Sequence, residues 1–235
     1  MSTALITGAS RGIGRAAART FASAGWDLLL LSRDEKSLES LAQELKPTGS
    51  KIFYFSIDLS DPTSIEPGIK HLLSKGLQPS VLINNAGVAW TGDLLSMPLN
   101  SWPWICQVNL TSVFQVCSEV VPSMREKGGL VINVSSHAAS NAFPNWGAYC
   151  VTKAALASFT KCLAVEERQN SIRACTLTLG SVNTNIWETD TVQSSFNRDS
   201  MLSAEEVASQ LLNLAEQPKT QIIEDLILMP ATGAF

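Results

Sequence analysis

Thr7-Gly8-Ala9-Ser10-Arg11-Gly12-Ile13-Gly14 joins the apolar run Ala4-Leu5-Ile6 to a segment with helical periodicity that extends to about residue 24. The three glycines leave little side chain in this turn, so its backbone N–H groups and the positive end of the next helix are accessible. A strand, a glycine-rich turn and a helix in this order are typical of turns that hold a pyrophosphate. The stretch therefore predicts a phosphate site at the first strand–helix turn.

The rest of the chain alternates short apolar runs with longer segments of helical periodicity. Such alternation is typical of strand–helix crossovers in a parallel sheet, whose strands are apolar throughout because both faces are covered. The predicted strands are 3–7, 27–32, 51–57, 80–84, 129–135, 172–178 and 222–228, and the predicted helices are 12–24, 34–45, 62–75, 100–126, 148–168 and 203–216. We expect one domain, residues 1–235, with a doubly wound α/β fold and helices on both faces of the sheet.

The segment 183–200 departs from this pattern because it is polar and rich in Thr, Asn and Ser. Its large apolar side chains, Ile186, Trp187 and Phe196, are isolated from one another. Long loops in compact domains are often functional, and this one follows a strand end, where ligands collect in open α/β sheets. We expect it to be a mobile flap over a substrate.

Composition excludes several classes of function. The net charge is −4, and Lys and Arg form no basic stripe, so nucleic acid is not an expected partner. No apolar run approaches the roughly 18 residues that cross a bilayer, and no leader pattern is present, so we expect a cytoplasmic protein without a membrane partner. The five cysteines contain no CxxC pair and only two histidines accompany them, which predicts reduced, mostly buried thiols and no metal site.

Tyr149 and Lys153 stand four residues apart in a predicted helix and therefore share one face. A tyrosine has an ordinary pKa of about 10, and a cation one helical turn away favours its phenolate. We therefore expect Lys153 to lower the pKa of Tyr149, which makes the pair a candidate for acid–base chemistry.

Taken together, Thr7-Gly8-xxx-Gly12-Ile13-Gly14, Asn84-Asn85-Ala86-Gly87, Asn109, Ser136 and Tyr149-xxx-Lys153 resemble the short-chain dehydrogenase/reductase family. The resemblance covers nearly the whole chain and follows the family's order and spacing. It implies a Rossmann-type fold and a reductase of ketones or aldehydes that also oxidises alcohols, with the catalytic residues Asn109, Ser136, Tyr149 and Lys153. By this resemblance Tyr149 donates the proton in reduction, Ser136 binds the substrate oxygen, and Asn109 holds a water linked to Lys153.

Two neighbours of Ser136 are assigned other roles. Ser135 is expected to face the other side of the strand, because successive side chains alternate. His137 is expected to make a local hydrogen bond, since neighbouring side chains on an extended backbone diverge.

The end of the second strand predicts the choice of coenzyme. An acidic residue there would bind the ribose hydroxyls of NAD, but Ser32 occupies that position. Arg33 and Arg11 can neutralise a phosphate, so NADP (as NADPH) is expected. Asp34 is interpreted as an acid at the start of the next helix.

The family resemblance also implies the other contacts. The cofactor-binding residues would be Gly8, Ser10, Arg11, Gly12, Ile13, Gly14, Ser32, Arg33, Asp58, Leu59, Asn85, Ala86, Gly87, Tyr149, Lys153, Val182 and Thr184, with Asn84 on the adenosine side. The substrate pocket, an aromatic cleft for an apolar or flat carbonyl compound, would be formed by Trp90, Phe143, Trp146 and Trp187.

Trp102 and Trp104 are assigned to packing or a subunit interface. A homodimer or homotetramer would form through the helices 100–126 and 148–168 and the last strand.

The same residues also fit other functions. Gly8-Ala9-Ser10-Arg11-Gly12 also fits the GxSxG elbow of α/β-hydrolases, but no strand precedes it to supply an oxyanion loop and no histidine follows His137. A non-catalytic NADP-binding sensor or scaffold stays open. Within the enzyme class, a 3-hydroxy acid dehydrogenase, which the segment 222–230 resembles, and a 3-oxoacyl reductase also stay open.

Overall fold

The sheet contains seven parallel strands in the order β3-β2-β1-β4-β5-β6-β7. The computed structural model describes residues 2–194 and 196–233, so the domain prediction for residues 1, 195, 234 and 235 lies outside the described residues. The chain runs outward from β1 in one direction and then, from β4, in the other. This reversal opens a crevice at the carboxyl ends of β1 and β4, as in Rossmann-type folds. The strands are β1 (Thr3–Thr7), β2 (Asp27–Ser32), β3 (Ile52–Ser56), β4 (Val81–Asn84), β5 (Gly129–Ser136), β6 (Ile172–Leu179) and β7 (Asp225–Leu228).

Helices cover both faces of the sheet, as expected. They are α1 (Gly12–Ser23), α2 (Glu35–Leu45), α3 (Pro62–Leu73), α4 (Ser101–Cys106), α5 (Ser112–Met124), α6 (Gly147–Glu166) and α7 (Ala204–Ala215). One core lies under α1, α2 and α7 and contains Phe21 and Leu211, while the other lies under α3, α5 and α6 and contains Ile69 and Val120. In the described part of the chain no helix combines the length and apolarity that a membrane crossing requires.

Residues 101–124 are helical throughout, close to the predicted helix 100–126, but they do not form one regular α-helix. The π-helical turn Gln107–Thr111 separates α4 from α5 and contains the predicted site residue Asn109. The Asn109 side chain is tied to the backbone of Val88 by two hydrogen bonds, which hold this turn against the end of β4. A wider turn of this kind inside a helix is frequent at functional sites.

The last strand is shorter than predicted, because it begins at Asp225 rather than at residue 222. Its pairing with β6 extends back only as far as the Glu224 carbonyl, which accepts from the Thr176 N–H at 2.9 Å. Before that point the chain turns away, and the Arg173 guanidinium binds the carbonyl of Gln221 at 2.9 Å.

The flap segment 183–200, apart from residue 195, is hydrogen-bonded to the body of the protein. The Thr91 N–H donates to the Thr191 carbonyl at 2.9 Å, and the Gln193 N–H donates to the Thr91 hydroxyl at 2.7 Å. The Arg198 guanidinium donates to the Asn183 side chain, which closes the base of the segment. The flap is therefore held over the carboxyl edge of the sheet, and its mobility stays a prediction.

The five cysteines are free thiols, as expected, but the prediction of burial holds only in part. Cys117 and Cys175 are buried. Cys106 and Cys150 are half-buried, and Cys162 is exposed on α6. The sequence pattern placed these residues on helices correctly but could not show which helix face meets the core.

Candidate active site

A cavity of about 570 Å³ opens along the carboxyl ends of the strands. Residues that follow six of the seven strands, β1 to β6, line it, so the fold brings together motifs that lie far apart in sequence. Of the predicted catalytic residues, Ser136, Tyr149 and Lys153 line the cavity, while Asn109 lies behind its wall. All predicted cofactor-binding residues line it except Gly14, which is buried under the first turn.

The glycine turn leaves the start of α1 open to this cavity. Gly8 and Gly12 have φ angles of +68° and +53°, which side chains rarely adopt. A Cβ on Gly14 would collide with the backbone of Gly8 and lie 2.7 Å from the Asn85 amide nitrogen. The helix has no side-chain cap on its N–H groups and no acid in its first turn, so this end is suited to an anion.

Thr7 joins this turn to the Asn-Asn-Ala-Gly motif after β4. Its buried hydroxyl accepts from the N–H groups of Asn85 and Ala86, both at 3.0 Å, and the Asn85 side chain returns a bond to the Thr7 carbonyl at 3.0 Å. The two strand ends at the reversal point are therefore fixed together. This role of Thr7 was not predicted, although Thr7 belongs to the glycine motif after the first strand.

The end of β2 has the arrangement expected from the sequence. Asp34 caps α2, accepting from the Ser37 N–H at 3.1 Å and from the Ser37 hydroxyl, and these bonds hold the pKa of its carboxyl below the ordinary value. The Ser32 hydroxyl accepts from the Asp34 N–H at 3.3 Å. The Arg33 side chain is exposed at the cavity rim and makes no ion pair within the described residues. It is therefore available to an incoming phosphate.

Ser136, Tyr149 and Lys153 meet where β5 ends and α6 begins. Burial raises the pKa of Tyr149 to about 12, and a hydrogen bond from Ser136 opposes this rise. Burial lowers the pKa of Lys153 to about 8. The Lys153 Nζ donates to the Val134 carbonyl at 2.9 Å and lies 5.7 Å from the centre of the Tyr149 ring.

The expected lowering of the Tyr149 pKa is therefore not found in the protein alone, because removal from water disfavours the phenolate and outweighs the effects that favour it. The Lys153 ammonium lies 5.7 Å from the ring centre and is bonded to a backbone carbonyl. Tyr149 consequently holds its proton throughout the neutral pH range. Ser135 donates to the Lys153 carbonyl at 3.4 Å, so it points away from Ser136, as predicted.

Asn109 is only 1% exposed, and its side chain makes three hydrogen bonds. Its oxygen accepts from the Val88 N–H at 2.8 Å, and its nitrogen donates to the Val88 carbonyl at 2.8 Å and to the Thr152 hydroxyl at 3.1 Å. The Asn109 oxygen and the Lys153 Nζ both lie 3.5 Å from the place where a Cβ on Gly87 would be. Asn109 thus fixes the wall beside Lys153, and its role in holding a water stays a prediction.

Aromatic side chains line the end of the cavity next to Tyr149. Trp146 contacts the Tyr149 ring edge-to-face at 5.6 Å between centroids, and Trp187 of the flap contacts Trp146 at the same distance. The Trp187 indole N–H donates to the Val182 carbonyl at 2.7 Å, which fixes the ring. Phe143 lies 6.0 Å from the His137 ring. The predicted aromatic cleft therefore contains Phe143, Trp146 and Trp187.

Two predicted positions are wrong, and one residue was missed. Trp90 does not line the cavity, because its ring folds over Gly92, where a Cβ would lie 2.6 Å from it. Asn84 is buried between strands and donates to the Asn133 side chain at 2.8 Å, so it does not reach an adenosine. Trp104, which the sequence analysis assigned to packing or an interface, lines the cavity.

The hydrolase alternative gains no support from the fold. Ser10 precedes α1 at the end of the first strand, whereas His137 follows β5, contacts Phe143 and is bonded to Asn141. The local hydrogen bond predicted for His137 is thereby confirmed. Within the residues that the structure describes, no group of three or more His, Cys, Asp or Glu is arranged to hold a metal ion.

Comparison with known proteins gives one consistent result. A family profile described as "short chain dehydrogenase" matches residues 2–194. Oxidoreductase UcpA of Escherichia coli (strain K12) is 38% identical over 194 residues, which are 82% of this chain and 73% of that protein. Serine 3-dehydrogenase of Rhizobium radiobacter is 30% identical over 240 residues, 99% of this chain and 95% of that protein. An alcohol dehydrogenase of Thermococcus sibiricus, complexed with 5-hydroxy-NADP, superposes with a TM-score of 0.91 at 29% identity, covering 98% of this chain and 97% of that chain.

Proposed function

The chain belongs to the short-chain dehydrogenase/reductase family, whose members are oxidoreductases acting on CH–OH groups, and from this we propose that it is an NADPH-dependent reductase of ketones or aldehydes. The observation that carries the proposal is the position of a protonated, half-buried Tyr149 beside Ser136, at the end of a cavity that begins at an uncapped glycine turn. We expect the reaction to be reversible.

The residues of the cavity fit a dinucleotide. The open start of α1 suits a pyrophosphate, and Arg11 and Arg33 at the rim suit an additional phosphate on the ribose. Asp34, whose carboxylate is engaged in capping α2, is not directed at a ribose in this arrangement. When bound, NADPH supplies the hydride. A solved relative of 29% identity that contains 5-hydroxy-NADP supports the choice of NADP over NAD.

The proton of the reduction comes from Tyr149 in this proposal. Because burial raises the pKa of its phenol to about 12, the hydroxyl is protonated at neutral pH and ready to donate to an oxygen that gains negative charge. The Ser136 hydroxyl oxygen accepts from the Ala138 N–H at 3.2 Å, and its hydrogen, which bonds to Tyr149 in the protein alone, turns to the same substrate oxygen when substrate is bound.

Lys153 acts on Tyr149 by charge. Its ammonium is 5.7 Å from the Tyr149 ring and is held there by the Val134 carbonyl. It stabilises the phenolate that remains after proton donation, because opposite charges attract strongly in a site removed from water. In the oxidation direction the same charge helps Tyr149 to start as a base.

The test is a panel of ketones, aldehydes and their alcohols with NADPH and NADH (or NADP⁺ and NAD⁺) side by side. We expect reduction of carbonyl compounds, with kcat/KM at least about tenfold higher for NADPH than for NADH, since the additional phosphate makes charge-assisted bonds. Tight binding of NADPH without turnover of any compound would support the alternative, a non-catalytic NADP-binding sensor or scaffold.

A second candidate function is an NADP-dependent 3-hydroxy acid dehydrogenase. The similarity to a serine 3-dehydrogenase over 99% of the chain favours it. Oxidation of serine or of 3-hydroxybutyrate in the alcohol arm of the panel, faster than that of neutral alcohols, would establish it. A 3-oxoacyl reductase is distinguished in the same panel by reduction of a 3-oxoacyl thioester.

The proposal includes a homodimer or homotetramer in the cytoplasm. Exposed apolar side chains on the two helices expected at the interface support assembly, since Phe114 of α5 is 56% exposed and Val165 of α6 is 66% exposed. The five free thiols support a reducing compartment. Light scattering coupled to gel filtration tests the assembly.

A further inference from the structure

The His137 ring is contacted by the side-chain amide of its neighbour Asn141. The Asn141 side-chain nitrogen lies 3.3 Å from the His137 Nδ1, and the same nitrogen donates to the His137 carbonyl at 3.2 Å. The carbonyl fixes the orientation of the amide, because it can only accept. The same amide nitrogen also lies 3.1 Å from the Ser140 hydroxyl, so its two hydrogens are shared among three acceptors. An amide nitrogen has no acceptor capacity, so a bond to Nδ1 requires the neutral tautomer that carries its proton on Nε2.

The His137 ring belongs to the substrate end of the cavity. It follows Ser136 directly and lines the same cavity as Ser136 and Tyr149. The ring lines the cavity and packs against Phe143 at 6.0 Å. None of the proposed catalytic steps uses its Nε2–H group.

The charges at this end do not favour an anionic substrate. Among the described residues that line the cavity, the cations are Arg11 and Arg33 at the phosphate end and the buried Lys153, which is bonded to a backbone carbonyl. Asp190 of the flap adds a carboxylate instead. The remaining wall near Tyr149 is largely aromatic, and flat rings pack well against such surfaces.

We propose that His137 is a specificity-determining residue whose Nε2–H donates a hydrogen bond to a second acceptor oxygen on an uncharged aromatic ketone. This rests on the proposed reductase function, which places the reacting carbonyl at Ser136 and Tyr149. The aromatic part of the substrate packs against Phe143 and Trp146. A ketone that carries an ester or a second carbonyl group beside the reacting one fits this arrangement.

The experiment compares two neutral aryl ketones of equal length, ethyl benzoylacetate and hexanophenone, of which only the first has a second acceptor oxygen. In the wild type we expect kcat/KM with NADPH to be about tenfold higher for ethyl benzoylacetate, the factor that one hydrogen bond supplies. His137→Phe is expected to reduce this ratio to about one, and His137→Gln, which keeps an N–H donor, to retain part of it. His71→Phe is the matched control, because His71 packs on Phe55 outside the cavity, and it keeps the wild-type ratio.

A ratio that is the same in the wild type and in His137→Phe overturns the proposal and leaves the reductase function in place. A wild type that reduces the carboxylate benzoylformate faster than both neutral ketones also overturns it, since the substrate class is then anionic. If the wild type reduces none of these compounds, the panel of carbonyl compounds under Proposed function is used. Reduction of other carbonyl compounds in that panel overturns the proposed substrate class but not the reductase function. Reduction of none of them overturns both.

Discussion

Raising the pH from 7 to 9 is expected to slow the reduction because Lys153 loses its charge. Burial lowers the pKa of Lys153 to about 8 in the coenzyme-free protein. A group with this pKa is about nine-tenths protonated at pH 7 and about one-tenth protonated at pH 9. If turnover needs the ammonium, kcat/KM falls roughly tenfold over this range, with an inflection near pH 8.

Tyr149 does not produce this inflection, because burial raises its pKa to about 12 and its proton is retained in the whole range. The assay is initial-rate NADPH oxidation with one ketone across this pH range, in buffers of constant ionic strength. Lys153→Arg is the diagnostic variant, because a guanidinium stays charged to above pH 12. Its profile is expected to be flat through pH 8, whatever its absolute rate.

Two results would refute this reasoning. A wild-type profile that is flat to pH 10 would show that the ammonium is not needed or that its pKa is not lowered. An inflection near pH 8 that persists in Lys153→Arg would assign the titration to another group.

The remaining predictions concern coenzyme choice, the glycine turn and the wall beside Lys153. Arg33→Asp is expected to shift the NADPH:NADH ratio of kcat/KM toward NADH by about 10- to 1,000-fold, since an attraction is replaced by a repulsion; an unchanged ratio means that the phosphate binds elsewhere. Gly14→Ala is expected to abolish NADPH binding, measured by quenching of protein fluorescence, because its Cβ would collide with the backbone of Gly8; wild-type affinity would contradict this. Asn109→Ala is expected to lower the free energy of unfolding by about 1–3 kcal/mol in a urea titration, because it leaves the buried Val88 backbone groups without partners; a change below about 0.5 kcal/mol would contradict this.

The order and type of the elements could be predicted because they depend on local apolar patterning. Strands such as β1 and β2 have apolar interiors, are buried throughout and lie at the predicted residues. The helix predicted from residue 203 begins there with a capping box, whose two partners, Ser203 and Glu206, are only three residues apart. Both features are encoded within a few neighbouring residues.

Features that depend on distant contacts could not be predicted. The π-helical turn at Gln107–Thr111 follows from the bonds between Asn109 and Val88, which are distant in sequence. Sequence spacing likewise placed Trp90 in the cavity and Trp104 outside it, because the direction of a ring on a loop or helix is decided by packing.

The chemistry of the site could likewise be predicted only in part. The residues at the strand ends, Ser136, Tyr149 and Lys153, converge as the motifs suggested. The direction of the pKa shift of Tyr149 was wrong, because its burial and the bond of Lys153 to Val134 are properties of the folded protein. Charge spacing along a helix shows which groups are neighbours, but not how much water remains between them.

The most direct test of the central claim is the turnover of Tyr149→Phe with NADPH and a ketone that the wild type reduces. The variant removes only the phenolic hydroxyl and keeps the ring that packs against Trp146. We expect kcat to fall by about 100- to 10,000-fold, the contribution of a positioned proton donor, while NADPH still binds in a fluorescence titration. A kcat within about threefold of the wild type would show that Tyr149 is not the proton donor.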